Sequence, residues 1–202
     1  MLWIVVTSPS FFTDEASFLH RLIVCGVDYI HLRKPGATAD DCSRLLDQMP
    51  EEDYRHIIIH DFFELATQYG LHGIHLNARR SDIPTDYHGH ISRSCHSLEE
   101  VEKYKPVCDY VFLSPIFDSI SKQGYSSAFN DITLKDAAVR GIIDKKIIAL
   151  GGVTPDKIEY LKSLQFGGAA MLGCVNNLAH LPENEQTDML IRIKKEMTDK
   201  VE

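Results

Sequence analysis

Ile147-Ile148-Ala149-Leu150-Gly151-Gly152-Val153-Thr154-Pro155 decides the fold. The four apolar residues read as a strand, the glycine pair as a tight turn, and Thr154-Pro155 as an N-cap followed by proline at the first helical position. Ile158, Leu161 and Leu164 then recur at helical spacing, and a second apolar strand follows at Ala169–Leu172. Strand, helix, strand is the repeating unit.

The same alternation runs outward along the chain. Further candidate strands are Leu2–Val6, Tyr29–Leu32, His56–Ile59, Gly73–Leu76, His90–Arg93 and Tyr110–Leu113, which with the two above make eight. Helical spacing recurs at Phe18, Leu19, Leu22 and Ile23, and again at Leu190, Ile193 and Met197. Ser97-Leu98-Glu99-Glu100 has the form of a capping box, and Gly26 and Gly70 suit helix stops. Strict alternation implies parallel strands joined by right-handed crossovers, and eight repeats close into a (β/α)8 TIM barrel, an α/β fold. An open doubly wound sheet is the alternative, but the first strand is not followed by the G-x-G-x-x-G turn that would bind a dinucleotide. Residues 77–89 are mostly polar and leave little room for a full helix, so one member of the ring is expected to be degenerate. A single barrel domain spanning residues 1–202 is the expectation.

Composition narrows the function. A formal charge of −8 gives no long-range attraction to nucleic acid or anionic lipid. No run approaches a membrane span and the start lacks a secretion signal, so a cytoplasmic protein without membrane partners is expected. The five cysteines are scattered with no C-x-x-C pair, against both a disulfide framework and a zinc–cysteine site. Histidines at 56/60, 72/75 and 88/90 invite a metal reading, but a three-residue spacing on a strand points side chains to opposite faces, leaving only His88/His90 to converge. A homodimer is one option for assembly.

In a barrel of this kind the active site gathers at the C-terminal ends of the strands. There stand Thr7 and Ser8; His31, Arg33 and Lys34; His60 and Asp61; His75, Asn77, Arg79, Arg80 and Asp82; Ser92, Ser94 and His96; Ser114 to Lys122; and Gly151, Gly152 and Gly173. Hydroxyls, cations and bare amides are what phosphate oxygens require, so small phosphorylated substrates are expected. Sugar hydrolysis would need two facing carboxylates instead. Period two aims His31 and Arg33 into the barrel mouth, where the arginine could grip a diphosphate or close a structural ion pair. Asp61 suits either a Mg2+ ligand or the cap of the next helix. Ser119, Ser121 and Lys122 could be phosphate ligands or ordinary loop residues. Ser94 and His96 suggest a nucleophile pair, but there is neither a G-x-S-x-G elbow nor an evident orienting carboxylate.

At these residues the chain resembles the thiamin phosphate synthase/thiazole tautomerase family. His31-Leu32-Arg33 is similar to the family's Gln-x-Arg strand, His60-Asp61-Phe62-Phe63-Glu64-Leu65-Ala66 to its Asn-Asp-Asp-x-x-Leu-Ala segment, and Gly73-Ile74-His75-Leu76 to its G-V-H-L strand. Ser94 to Glu100 resembles S-x-H-[ST]-x-E-E. Pro115 to Lys122 resembles P-I-F-x-T-x-T-K, and Ala149 to Val153 resembles A-[IL]-G-G-[IV]. The resemblance implies a Mg2+-assisted transfer in which an aminopyrimidine diphosphate loses diphosphate and a thiazole phosphate captures the carbon. It implies that Arg33, Ser94 and Lys122 bind the diphosphate and Asp61 and Asp82 the Mg2+. Ser119, Ser121, Gly151 and Gly152 would hold the thiazole phosphate, with His31, Lys34, His60 and Gly173 completing the substrate site. The sister activity, thiazole tautomerisation, uses a histidine where this chain has Pro115, and a tautomerase or a thiazole-phosphate binding protein, with His31 or His96 carrying the proton, is the alternative. Departures from the pattern are His31 for glutamine, His60 and Phe62 for asparagine and aspartate, Pro35 for a lysine with Lys34 one place early, and Gly173 for serine. Asp82 matches only if two extra residues are allowed around Arg79 and Arg80.

Overall fold

In a computed structural model, which describes residues 1–118 and 129–199, eight parallel strands close into a barrel in sequence order. They are β1 (Leu2–Val6), β2 (Tyr29–Leu32), β3 (Ile57–Ile59), β4 (Gly73–Leu76), β5 (His90–Cys95), β6 (Tyr110–Leu113), β7 (Ile147–Ala149) and β8 (Gly168–Met171). Every expected strand is present, with ends shifted by at most two residues. The helices are α1 (Glu15–Val24), α2 (Ala39–Leu46), α3 (Glu64–Tyr69), α4 (Leu98–Tyr104), α5 (Asp131–Val139), α6 (Ile158–Ser163), α7 (Gly173–Asn176) and α8 (Glu183–Thr198). Between β4 and β5 no helix is assigned; Asn77 and Arg80 pair across a tight turn instead.

The outer core follows the periodicity. Phe18, Leu19 and Leu22 of α1, Ile158 and Leu161 of α6, and Leu190, Ile193 and Met197 of α8 all pack against the outward faces of the strands. Gly26 and Gly70 both have positive φ, as helix stops require. Two end signals differ from expectation. The Ser97 hydroxyl accepts the Glu100 N–H as in a capping box, but the Glu100 carboxylate takes the N–H of His96, one residue too early to complete it. After Thr154 the chain makes a 3-10 turn, Pro155–Lys157, before α6, and the Thr154 hydroxyl bonds the Asp156 carboxylate instead of a helix N–H. Cys42, Cys95 and Cys108 are buried, and all five cysteines are free thiols. No helix of the described residues is long and apolar enough to cross a membrane.

The barrel interior divides into two halves. Ile4, Val6, Ile58, Ile148, Ala170 and Phe112 form an apolar cluster of the kind that fills most barrels. Register places His31 beside Ile58, His75 beside Ser92 and Ser92 beside Tyr110, so the β2–β6 side turns imidazoles and hydroxyls inward. His31, His75 and Ser92 are wholly buried. Groups of this type enter a core only when hydrogen-bonded. Here they bond one another: His31 Nδ1 to His60 Nε2 at 2.8 Å, His31 Nε2 to the Tyr110 hydroxyl at 2.6 Å, and His75 to Ser92 at 2.9 Å and Ser94 at 2.8 Å.

Burial holds these imidazoles neutral. It pushes His31 and His60 well below the ordinary histidine range and His75 down to about 3, neighbouring positive groups adding to the effect. The unfolded chain takes up a proton at His75 near pH 6.5 and the folded chain only near pH 3, so stability falls as pH drops below 6.5. For His75 alone the loss between pH 6.5 and pH 5 is about 2 kcal/mol. Urea titrations at pH 7 and pH 5 are expected to show at least that loss, with a shallower pH dependence in His75→Gln. A midpoint independent of pH in this range contradicts the buried neutral set.

Candidate active site

The mouth at the C-terminal ends of the strands is organised by backbone contacts. The Thr7 hydroxyl accepts the Arg33 N–H at 3.0 Å and donates to the Arg33 carbonyl at 3.2 Å, fixing the end of β2 against β1. Asn77 accepts the N–H groups of Arg79 and Arg80 on its side-chain oxygen, at 2.9 and 3.2 Å. That turn brings the two guanidiniums to 3.9 and 3.8 Å from the Asp61 carboxylate. Arg33 shares this field: burial and then Arg79 lower its guanidinium from the usual value, while Asp61 opposes the shift. Three arginines facing one carboxylate leave an excess of positive charge, which suits an anion.

Across the mouth, Gly151 and Gly152 have φ of 93° and 63°, a left-handed pair. A Cβ on Gly151 would lie 2.8 Å from Pro115 Cα, and one on Gly152 would lie 2.5 Å from the Asp118 carbonyl oxygen. Glycine is required at both positions by conformation and by space. Among the described residues, neither N–H has a backbone acceptor. A Cβ on Gly173, at the start of α7, would meet nothing within 4 Å, so a serine would fit there without strain. Ser119, Ser121 and Lys122 lie outside the described residues.

Several expected site residues stand differently from their sequence reading. Lys34 does not face the mouth. Its ammonium is buried against Glu15 at 2.5 Å and donates to the carbonyls of Ser8 and Ser10 at 3.0 and 3.1 Å. Burial pulls the ammonium down and pushes the Glu15 carboxyl up, and their contact opposes both shifts. His31 lies in the barrel interior with both ring nitrogens engaged, so in this arrangement it reaches a ligand only through His60. Asp61 does not cap a helix; the N-cap of α3 is Phe63. Asp82 is exposed, is bonded by the Ser81 hydroxyl, and shares no partner with Asp61 among the described residues.

The Ser94–His96 pair is not formed. Ser94 bonds His75, whereas exposed His96 is tied to the Ser114 carbonyl at 2.9 Å. Nor do histidines meet along one strand: His60 stacks on His75 at 4.2 Å and His72 lies 4.7 Å from His90, in both cases across strands. The residue missed from the sequence is Tyr110, read there only as part of a strand. Its signal was available, since Tyr110 pairs with Ser92 and shares an inward phase with His75 and His31.

A protein-family model described as thiamine monophosphate synthase matches residues 2–175. The chain belongs to that family. A thiamine phosphate pyrophosphorylase of Bacteroides thetaiotaomicron superposes with a TM-score of 0.87 at 40% identity, covering 97% of each chain. The thiamine-phosphate synthase of Acidothermus cellulolyticus is 27% identical over 194 residues, 90% of this chain and 88% of that protein. That of Anoxybacillus flavithermus is 25% identical over 96% of this chain and 94% of its own. A thiamine phosphate pyrophosphorylase of Pyrococcus furiosus, at 17% identity and a TM-score of 0.75, shares the fold. Within this thiamine monophosphate synthase family chain, the Lys34–Glu15 pair is a structural element.

Lys34→Met strands a buried carboxylate and is expected to cost about 3 kcal/mol or more in urea unfolding. If Lys34 instead contacted substrate, stability would stay near wild type and only KM would rise.

Proposed function

We propose that the protein is a thiamine-phosphate synthase, joining an aminopyrimidine diphosphate to a thiazole phosphate with release of diphosphate. The observation that carries this reading is the 40% identity to a thiamine phosphate pyrophosphorylase over 97% of both chains. The mouth supports it. Arg33, with Arg79 and Arg80 nearby, offers a cationic wall for the diphosphate, and Ser94, near the end of β5, offers a hydroxyl. The positive-φ turn at Gly151 and Gly152 would present its amides to the second phosphate. The family pattern adds Lys122 to the diphosphate side and Ser119 and Ser121 to the thiazole-phosphate side.

In this reading the carbon–oxygen bond between the pyrimidine methylene and the diphosphate breaks with both electrons on the leaving group, and the thiazole nitrogen forms the new bond to carbon. Charge develops on the leaving oxygens, where fixed donors count most. Mg2+ fits the same wall, because the Asp61 carboxylate is part-buried and touches its arginines no closer than 3.8 Å. Bound there, it would neutralise part of the departing charge. Asp61 would hold it, with Asp82 as the second family position. His60 borders the ring pocket, and His31 positions it. Gly173 leaves room beside the second phosphate. The isomerising alternative gains no support, since Pro115 stands in place of its histidine, His31 is sealed in the interior and His96 is held by a carbonyl.

Purified protein given both substrates and Mg2+ is expected to form thiamin phosphate and diphosphate. Arg33→Ala should lower kcat/KM by about a hundredfold to a thousandfold, the usual cost of one fixed donor to developing charge. No product from active-folded protein, with thiazole phosphate still bound, contradicts the synthase reading.

A further inference from the structure

Beneath the mouth three side chains form one hydrogen-bonded row. The Tyr110 hydroxyl lies 2.6 Å from His31 Nε2, and His31 Nδ1 lies 2.8 Å from His60 Nε2. All three are buried, Tyr110 at 3% exposure, His31 at 0% and His60 at 5%. The Ser94–His75–Ser92 set is separate from them. Its Ser92 hydroxyl donates to the Ile74 carbonyl at 3.3 Å, and His75 meets His60 only by ring stacking. His60 Nδ1 bonds no described residue and is not one of the buried polar atoms left without a partner. It is the end of the row nearest the mouth, because His60 directly follows β3, Asp61 comes next, and Arg33 and Arg79 are close enough for their charges to act on the ring.

The protons of this row are fixed by its far end. A neutral imidazole carries one proton, and the bond made at one nitrogen decides which nitrogen holds it. Burial keeps both imidazoles neutral. Two senses are then open. In the first, Tyr110 donates to His31 Nε2, His31 donates from Nδ1 to His60 Nε2, and His60 carries its proton on Nδ1. In the second, His60 donates from Nε2 to His31 Nδ1, His31 donates from Nε2 to the Tyr110 oxygen, and the phenolic proton must find another acceptor. Among the described residues the Tyr110 hydroxyl makes its one close hydrogen bond to His31. A buried O–H left without an acceptor is costly, whereas a hydroxyl oxygen that keeps a lone pair free is not. The first sense therefore holds.

We infer that Tyr110, acting through His31, locks His60 with its proton on Nδ1, so that the pocket offers the substrate ring an N–H donor and selects a heteroaromatic ring presenting a bare ring nitrogen. This rests on the reading of the mouth as a synthase site. An aminopyrimidine has such a nitrogen, whereas a ring carrying N–H at the same place meets proton with proton. An unconstrained histidine would change tautomer to suit either ring; the tyrosine removes that choice, and selectivity follows from what the site excludes. Tyr110 and His31 are positioning residues, and His60 is the one that touches the ring.

His31, His60 and His75 could instead be taken for a metal centre, since their ligand atoms lie within 4.8 Å of one another. Ring orientation opposes it. A metal lies in the plane of each imidazole it binds, and His60 and His75 are stacked at 4.2 Å with only 20° between their planes. A metal would also break bonds that His31 and His75 make with both nitrogens.

Two measurements test the lock. Long-range proton–nitrogen NMR on full-length protein with 15N-labelled histidine distinguishes Nδ1–H from Nε2–H. Without ligand near neutral pH, His31 and His60 are both expected as Nδ1–H, and both should stay so in Ser92→Ala. An Nε2–H form at either one overturns the inference, as does a change at either in Ser92→Ala, which would make Ser92 the partner that sets Tyr110. Zinc retained by purified protein and lost in His60→Ala also overturns it. The second measurement compares binding of the aminopyrimidine diphosphate with that of its oxo analogue, whose ring nitrogen carries a proton. Wild type is expected to prefer the amino ring by about tenfold or more. Tyr110→Phe keeps the packing of the ring but not the lock, and should bring that preference toward parity while binding inorganic diphosphate with Mg2+ as wild type does. A preference left intact by Tyr110→Phe overturns the inference; should that variant not fold, the NMR measurement on wild type decides. Nε2–H at His60 in protein that still forms thiamin phosphate removes the lock and leaves the synthase reading standing, whereas Nδ1–H at both histidines with no thiamin phosphate formed upholds the lock and removes that reading.

Discussion

A closed barrel must fill its own interior, and this chain fills half of it with groups that tolerate burial only when every lone pair and proton has a partner. They meet that condition in two sets, His60–His31–Tyr110 and Ser94–His75–Ser92, the Ser92 hydroxyl also reaching the Ile74 carbonyl. Strand register makes it achievable, because His75, Ser92 and Tyr110 are register partners on β4, β5 and β6, and His31 of β2 reaches Tyr110 across the interior. The aliphatic half formed by Ile4, Val6, Ile148 and Ala170 supplies the apolar wall that excludes water from it. A single slip of register would bury unpaired imidazoles.

The mouth inherits its precision from this floor. His60 and Ser94 are held from below by neutral, fully bonded side chains, and Arg33 is held at its backbone by Thr7. Above them, Arg79 and Arg80 approach Asp61 on a turn built by Asn77. Positive charge gathers on one side and the Gly151-Gly152 turn stands on the other, a division suited to a substrate pair carrying one diphosphate and one phosphate. Lys34 contributes from outside, tying the loop at Ser8 and Ser10 to the first turn of α1 through Glu15.

The architecture was legible in the sequence because strand and helix periods alternate cleanly and the glycines mark helix ends. The polar turn at residues 77–89 was legible for the same reason, since nothing in it repeats at helical spacing. Lys34 misled because it adjoins Arg33; on an extended chain adjacent side chains take opposite faces, so an inward Arg33 sends Lys34 outward to Glu15. Ser94 and His96 share a face by spacing, yet β5 ends at Cys95 and His96 turns toward Ser114, leaving His75 of the neighbouring strand as the partner. The histidine cluster was not visible along the chain, because its members come from three segments far apart in sequence and meet only through register. Tyr110 was hidden by its apolar neighbours, although its phase within β6 points it inward.

The central claim is that this polar floor orients the ring of the substrate while the arginine wall and the glycine pair hold its two phosphate ends. A crystal structure with thiamin phosphate and diphosphate bound together tests it most directly. The ring is expected within hydrogen-bonding distance of His60 Nδ1, the diphosphate on Arg33 and Ser94, and the phosphate on the amides of Gly151 and Gly152, with His31 still bonded to Tyr110. A ligand that displaces Tyr110 to bond His31 directly, or that leaves the Arg33 wall empty, would contradict this account.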